Sequence, residues 1–267
     1  GERSKYIIGT KVAGPGMEYV RGGSGLSSEH IVKAVESSLK RLQTDYIDLY
    51  QLHWPERKSN YFGRLGYEYS EDTGVAIEET YKAMDRLVRD GKVRYLGISN
   101  ETPWGVNEYL RLEREHGYNK IMSIQNPYSL LNRIYEVGLA EITHRENVGL
   151  LAYSPLGFGM LTGKYAEGAP ADSRLGLYGD WFTRYSNKPS IDAVSKYINL
   201  AKEFSITPTQ LALAFVNTRP FLTSNIIGAT KMSQLEENID SIEVSLNTEI
   251  LEAIAVSYTH LTLPTKA

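Results

Sequence analysis

Gly91-Lys92-Val93-Arg94-Tyr95-Leu96-Gly97-Ile98-Ser99-Asn100-Glu101-Thr102-Pro103 holds, in one stretch, the repeat from which the fold is read. Gly91 stops a helical pattern in which Ile77, Tyr81, Met84, Leu87 and Val88 recur on one face. Residues 93–98 read as a strand, and Pro103, a favoured first-turn residue, opens the next helix. Between them, Ser99 and Asn100 put polar side chains at the C-terminal end of the strand.

The same unit recurs on both sides of this stretch. Residues 6–10 form an apolar run, followed by a Gly-rich loop and a helix carrying Ile31, Val32, Val35, Leu39 and Leu42, with Ser27 or Ser28 as its cap. Residues 46–52 give a second strand, 121–124 a fourth, 150–152 a fifth and 225–228 a sixth. A helix near 138–145 separates the fourth and fifth, and a long loop follows Tyr153. Two helices precede the sixth strand, and helices near 234–242 and 249–255 follow it. Continuous apolar strands are buried on both faces, as in parallel sheets. The choice lies between an open doubly wound sheet and a (β/α)8 barrel. A dinucleotide fold calls for G-x-G-x-x-G in a tight strand-to-helix turn, whereas Gly157-Phe158-Gly159 has part of that pattern and opens a loop. The expectation is an α/β (β/α)8 TIM barrel with roughly the first two strand-helix units missing.

Composition narrows the function. The 267 residues carry a formal charge of −3, without the basic footprint that nucleic acid or an anionic membrane attracts. Cysteine is absent, which excludes a disulfide framework, thiol catalysis and cysteine-ligated metal, and fits a cytoplasmic protein. The five histidines do not cluster with carboxylates at metal-ligand spacing, so no metal is expected. Neither G-x-S-x-G nor a P-loop is present. The longest apolar runs are far below the roughly 20 residues of a membrane span. Nineteen tyrosines against six phenylalanines suit walls that a polar ligand touches. No Gly/Ser- or Pro-rich linker divides the chain, so residues 1–255 are read as one barrel domain. Residues 256–267 lack helical periodicity and resemble a translated sequencing adapter, so they are read as a non-native tail.

Every strand closes on polar residues: Lys11, His53, Ser99 with Asn100, Gln125 with Asn126, Tyr153 with Ser154, and Thr230 with Lys231. Taken singly, His53 is a buried hydrogen-bonded histidine, Lys11 a snorkelling rim lysine and the others helix caps. Parallel strands bring all these ends to one face, and six out of six reads as a site. Lys11 and His53 together suit polarisation of a carbonyl and tuning of a proton donor.

Jointly these motifs resemble the aldo-keto reductase family, and within it the bacterial Tas-type members, over essentially residues 5–255. The resemblance rests on Gly9-Thr10-Lys11, on residues 45–55 ending Gln51-Leu52-His53-Trp54-Pro55, and on residues 91–100. It extends through Gln125-Asn126-Pro127-Tyr128, Tyr153-Ser154-Pro155-Leu156 with residues 161–165, and Ile227-Gly228-Ala229-Thr230-Lys231 with residues 234–238. It implies NADPH and a small-molecule carbonyl substrate, with reduction of aldehydes or ketones to alcohols by hydride transfer. Ser99, Asn100 and Gln125 would hold the nicotinamide carboxamide, with Tyr153 stacked on the ring. Ser154, Pro155, Leu156, Gly159 and Lys164 would line the pyrophosphate. Arg174, Thr230, Lys231 and Gln234 would take the 2′-phosphate end and Glu237 and Asn238 the adenine, with Gly228 also binding the cofactor. Arg174 alone reads as a solvated loop arginine. Lys11 and His53 carry over as catalytic residues. The family's catalytic Tyr and Asp have no position in this sequence, so the chain is expected to be a truncated copy with little activity. The competing reading is a non-catalytic, NADPH-binding regulatory subunit like the potassium-channel β subunits of the family. His53 argues against it, since those members carry Asn there. No nucleic acid or membrane partner is implied.

Overall fold

The computed structural model describes residues 2–20, 23–62 and 66–259. Its six strands are β1 (Gly9–Val12), β2 (Ile47–Leu52), β3 (Val93–Ser99), β4 (Ile121–Pro127), β5 (Gly149–Tyr153) and β6 (Leu222–Asn225), hydrogen-bonded in that sequential order. Pairings β1–β2, β2–β3 and β3–β4 are parallel. Helices intervene between successive strands, the order of a (β/α)8 barrel. Contacts divide the chain into two compact units, one of residues 1–126 and 138–150, the other of residues 127–137 and 151–267.

In the first unit, helix α1 (Ser28–Leu42) starts where expected, because the Ser27 hydroxyl accepts the His30 N–H. Its buried stripe is narrower than the apolar spacing implied: Ile31, Ala34 and Val35 are buried, whereas Val32 and Leu42 are exposed. Helix α2 (Ile77–Arg89) buries Tyr81, Met84 and Leu87 and gives way to Gly91 at φ +72°. Helix α3 (Pro103–His116) has Thr102 as its cap and Pro103 in its first turn. β2 is buried on both faces, with Ile47 and Tyr50 wholly inaccessible.

The first strand is displaced from its expected place. Tyr6 and Ile7 are exposed, residues Arg3–Lys5 form a 3-10 turn, and pairing begins at Gly9↔Leu49. The reason lies across the sheet. Asp48, only 4% exposed, receives the Ile8 N–H at 2.9 Å, while the Ile8 carbonyl accepts the Asp48 and Leu49 N–H groups. Strand pairing therefore anchors residue 8 onward, and hydropathy alone had extended the strand backwards. Lys11 consequently sits inside β1 and does not close it.

The second unit contains α6 (Lys188–Glu203), α7 (Pro208–Asn217), α8 (Met232–Asp240) and α9 (Thr248–Thr259). The long loop after Tyr153 holds 3-10 turns at Gly157–Thr162 and Thr183–Tyr185 and the short helix α5 (Arg174–Tyr178). β6 lies earlier than residues 225–228: it ends at Asn225, and Ile226 donates its N–H to the Ala152 carbonyl. Gly228, Thr230 and Lys231 thus lie beyond the strand in the approach to α8, so they do not form a strand end.

Helix α9 continues past residue 255, where the sequence pattern ends it. The Arg133 guanidinium lies 4.6 Å from the centre of the Tyr258 ring and pairs with Glu136, which also accepts the Tyr128 hydroxyl. Residues 260–267 lie outside the described residues. A chain ending at 259 keeps Tyr258, whereas a chain ending at 255 loses it. That loss of a partly buried cation–π contact of roughly 1 kcal/mol should lower the melting temperature by about 2–4 °C, as calorimetry of the two shortened chains would report.

Candidate active site

In a parallel sheet, laterally paired side chains share a face, and the same face recurs every second residue. The register therefore builds the site row by row in the first unit. Lys11 pairs with Gln51, Gln51 with Gly97, and Gly97 with Ser123. Two residues further on, the same face carries His53, Ser99 and Gln125, with Ser99 paired to Gln125. These are polar positions on strands whose alternate residues Val12, Leu52, Ile98 and Ile124 are buried in the core.

Hydrogen bonds fix the upper row. The Ser99 hydroxyl donates to the Gln125 carbonyl at 2.7 Å, and the Asn100 N–H donates to that same carbonyl at 3.1 Å. The Asn100 side-chain amide donates to the His53 carbonyl at 2.8 Å and to the Ser99 hydroxyl at 3.1 Å. Asn100 reaches these partners from the left-handed region, φ +55°, which asparagine tolerates better than most side chains. Asn100 is thus a strut joining the ends of β2, β3 and β4. His53 itself lies with its ring 4.7 Å from that of Trp54, whose indole N–H donates to the Pro15 carbonyl.

Electrostatics then separate the two candidate catalysts. Burial, with the Lys11 charge adding to it, pushes the His53 imidazole down to about 4, so at neutral pH it is uncharged. Burial also holds the Lys11 ammonium below its ordinary range. A neutral imidazole and an adjacent cation can together hydrogen-bond and polarise an electron-rich oxygen.

The second unit carries the remaining candidates. Tyr153 ends β5, and burial raises its hydroxyl above the ordinary range, with an Arg184 hydrogen bond working against that rise. After it the backbone turns repeatedly through positive φ at Ser154, Gly157, Phe158, Gly159 and Gly163. The Gly157 and Gly159 N–H groups close the turn onto the Ser154 and Leu156 carbonyls. Gly159 turns at φ +95°, a conformation that favours glycine, and the Lys164 ammonium lies beside it, 3.2 Å from where a Cβ would stand. That cradle, a lysine beside a tightly wound main chain, fits a phosphate group, and these residues fit the phosphate portion of a dinucleotide.

Arg174 opens α5, exposed, with its guanidinium 5.3 Å from the Phe182 ring centre. Lys231 is the N-cap of α8, and the Gln234 side-chain oxygen receives both the N–H and the hydroxyl of Thr230, tying the approach to the helix. Glu237 accepts the Thr207 hydroxyl at 2.6 Å, and Asn238 is buried with its carbonyl accepting the Ser241 hydroxyl. Pro155 is buried, while Leu156 is half-buried at the start of the turn. Of the aromatic loop 61–69, residues 63–65 lie outside the described residues. Among the described residues, no group of three or more histidine, aspartate or glutamate side chains is placed to hold a metal. None of the helices there is long and apolar enough to cross a membrane.

The Aldo/keto reductase family profile matches residues 1–258. The chain belongs to the aldo/keto reductase family. It is 48% identical to Protein tas of Escherichia coli over 97% of this chain and 77% of that protein. An aldo-keto reductase of Babesia bovis is 40% identical over 93% of this chain and 94% of its own length. A putative voltage-gated potassium channel subunit beta of Schizosaccharomyces pombe is 33% identical over 95% of this chain and 71% of that protein. Membership of the reductase family agrees with the alternation of strands and helices and makes the chain an oxidoreductase by kinship.

Residues not singled out as site members also stand near these positions. In the first unit Gln51 and Ser123 share the Lys11 row, and in the second unit Arg184 meets Tyr153. The signal for the first two was in the chain: Gln51-x-His53 and Ser123-x-Gln125 repeat a polar residue at the strand period within apolar runs. Arg184 gave no such signal, since its loop has no periodicity to read.

Proposed function

We propose that the chain is an NADPH-dependent carbonyl reductase whose substrate is a small aldehyde or ketone. The observation that carries this reading is the face that Lys11, inside β1, shares with neutral His53, just beyond β2, in a reductase-family chain. When bound, NADPH would supply the hydride. Lys11 and His53 would hold the carbonyl oxygen and stabilise the negative charge that develops on it. Ser99, Asn100 and Gln125 would orient the nicotinamide amide, and Tyr153 would offer its ring to the nicotinamide face. Ser154, Pro155, Leu156, Gly159 and Lys164 would surround the pyrophosphate. Thr230 and Gln234, with Arg174 and Lys231, would bind the 2′-phosphate end and Glu237 and Asn238 the adenine, with Gly228 also on the cofactor.

The kinship with potassium-channel β subunits supports a second reading, an NADPH-binding regulatory subunit. His53 favours the reductase, because the regulatory members resemble this chain with Asn at that position.

Cofactor titration by NADPH fluorescence is the direct test. NADPH should bind more tightly than NADH. Charge-assisted contacts contribute roughly 1.5–3 kcal/mol, so Arg174→Ala and Lys231→Ala should each weaken NADPH roughly 10- to 100-fold and leave NADH nearly unchanged. An unaltered NADPH-to-NADH ratio in both variants would remove the assignment of that pocket.

A further inference from the structure

Two polar atoms on the Lys11 face have no hydrogen-bond partner although both are buried: the Gln51 side-chain nitrogen and the Ser123 hydroxyl oxygen. Gln51 is 2% exposed and Ser123 is 6% exposed. Leaving such buried groups unsatisfied is costly, so a native protein pairs them with something. They stand on strands β2 and β4, on either side of Gly97 in β3, and all three belong to one register row that begins at Lys11. A Cβ placed on Gly97 would lie 2.7 Å from Ser123 Oγ and 3.0 Å from Gln51 Cγ. Glycine there is what allows the two side chains to lean towards each other across β3. One is a donor and the other a hydroxyl able to accept or donate, the complement that a single water molecule needs.

We propose that Gln51 and Ser123 hold a structural water over Gly97, and that this water hydrogen-bonds the Lys11 ammonium from the side opposite a bound substrate. Gln51 and Ser123 are positioning residues in this arrangement: they act on Lys11 and not on the substrate. Lys11 stands one strand spacing, about 4.8 Å, from Gln51 and two from Gly97, so its four-carbon stem meets the water by leaning along the row over Gln51. His53, two residues beyond Gln51 on the same face, is the titratable neighbour that feels the Lys11 charge; Gln51, Ser99, Ser123 and Gln125 are uncharged. A water at this place would replace part of the hydration that Lys11 loses on burial and would aim the ammonium towards the strand ends. The inference deepens the role given to Lys11 above. Its experiment reads protonation and bound water, without turnover, so it fails separately from the reductase reading.

The test uses the full 267-residue chain with its lysines converted to dimethyl-lysine by 13C-formaldehyde, the Lys11 signal being assigned by its loss in Lys11→Arg. Loss of the water desolvates the ammonium further, so Ser123→Ala should lower the Lys11 titration midpoint by half a pH unit or more. Gln51→Met should do the same, while Ser123→Thr, which keeps the hydroxyl, should restore the parent value. A high-resolution crystal structure should show one water within hydrogen-bond distance of Gln51 Nε2 and Ser123 Oγ, absent in Ser123→Ala. Should Gln51→Met fail to fold, Ser123→Ala removes a single oxygen and decides alone. A dry row in the crystal, or a Lys11 midpoint indifferent to Ser123→Ala, would overturn the proposal.

Discussion

Replacing Arg57 by alanine is expected to cost roughly 3–5 kcal/mol of stability, because it leaves a carboxylate buried without its partner. The Arg57 and Glu101 side chains are 11% and 3% exposed, and the guanidinium reaches both carboxylate oxygens, one at 3.0 Å. Glu101 also receives the Thr102 N–H at 2.6 Å, and its main-chain carbonyl accepts the Asn126 amide at 3.1 Å. It therefore connects the loop after β2 to the start of α3 and the end of β4. Gly105 is bare where any side chain would strike the Glu101 carboxylate, so the pair packs directly against the α3 backbone. Replacing both partners, Arg57→Met with Glu101→Leu, should be far milder than Arg57→Ala, since an apolar pair leaves no orphaned charge. Urea denaturation of the parent and the two variants would show this ordering; equal losses in the single and double variants would mean that packing, not the charge pair, sustains the segment.

A second large effect is expected at Asp48→Ala, on the order of 3 kcal/mol. Asp48 binds Arg3 at 2.7 Å, Arg94 at 3.0 Å and the Ile8 N–H at 2.9 Å, and both guanidinium groups also lie over the Tyr46 ring, at 4.1 and 3.9 Å. Removing the carboxylate leaves two cations on one ring and frees the residue from which β1 begins. The loss should spread along β1 to Lys11, so cofactor-independent hydrogen exchange in residues 8–12 should quicken. Burial alone would raise the Asp48 carboxyl, but the Ile8 N–H, Arg3 and Arg94 outweigh it and hold the group below the usual carboxylate range. The unfolded chain therefore takes up that proton first as the pH drops. Its contribution is fully present at neutral pH and fades below about pH 5. Asp48→Asn should accordingly flatten the acid limb of the stability profile, and a parent and variant with parallel acid limbs would contradict this account.

Several readings of the chain depended only on local chemistry, and these correspond to the elements found. Ser27 as the α1 cap, Gly91 after α2 and Pro103 at the start of α3 are each set by a backbone conformation or a neighbouring N–H within one helical turn. The family resemblance likewise rests on contiguous motifs, and the family profile covers the same span. Misplaced boundaries occurred where the partner is remote. β1 starts at Gly9 because residue 8 pairs with Asp48, and β6 ends at Asn225 because Ile226 turns to Ala152. Helix α9 runs on to Thr259, with Tyr258 under Arg133, a residue far back in the chain.

By itself the sequence determined the alternation of strands and helices, the family, and the residue types gathered at the strand ends, since periodicity and turn chemistry are properties of neighbours along the chain. Only the tertiary structure decided which of those residues share a row, because the register is set by pairing between strands dozens of residues apart. It brought Gln51 and Ser123 onto the Lys11 face, made Asn100 a strut rather than a free amide, and lowered His53 through burial beside a cation. Each of these is a relation between distant residues, and a linear chain carries no distance until it folds.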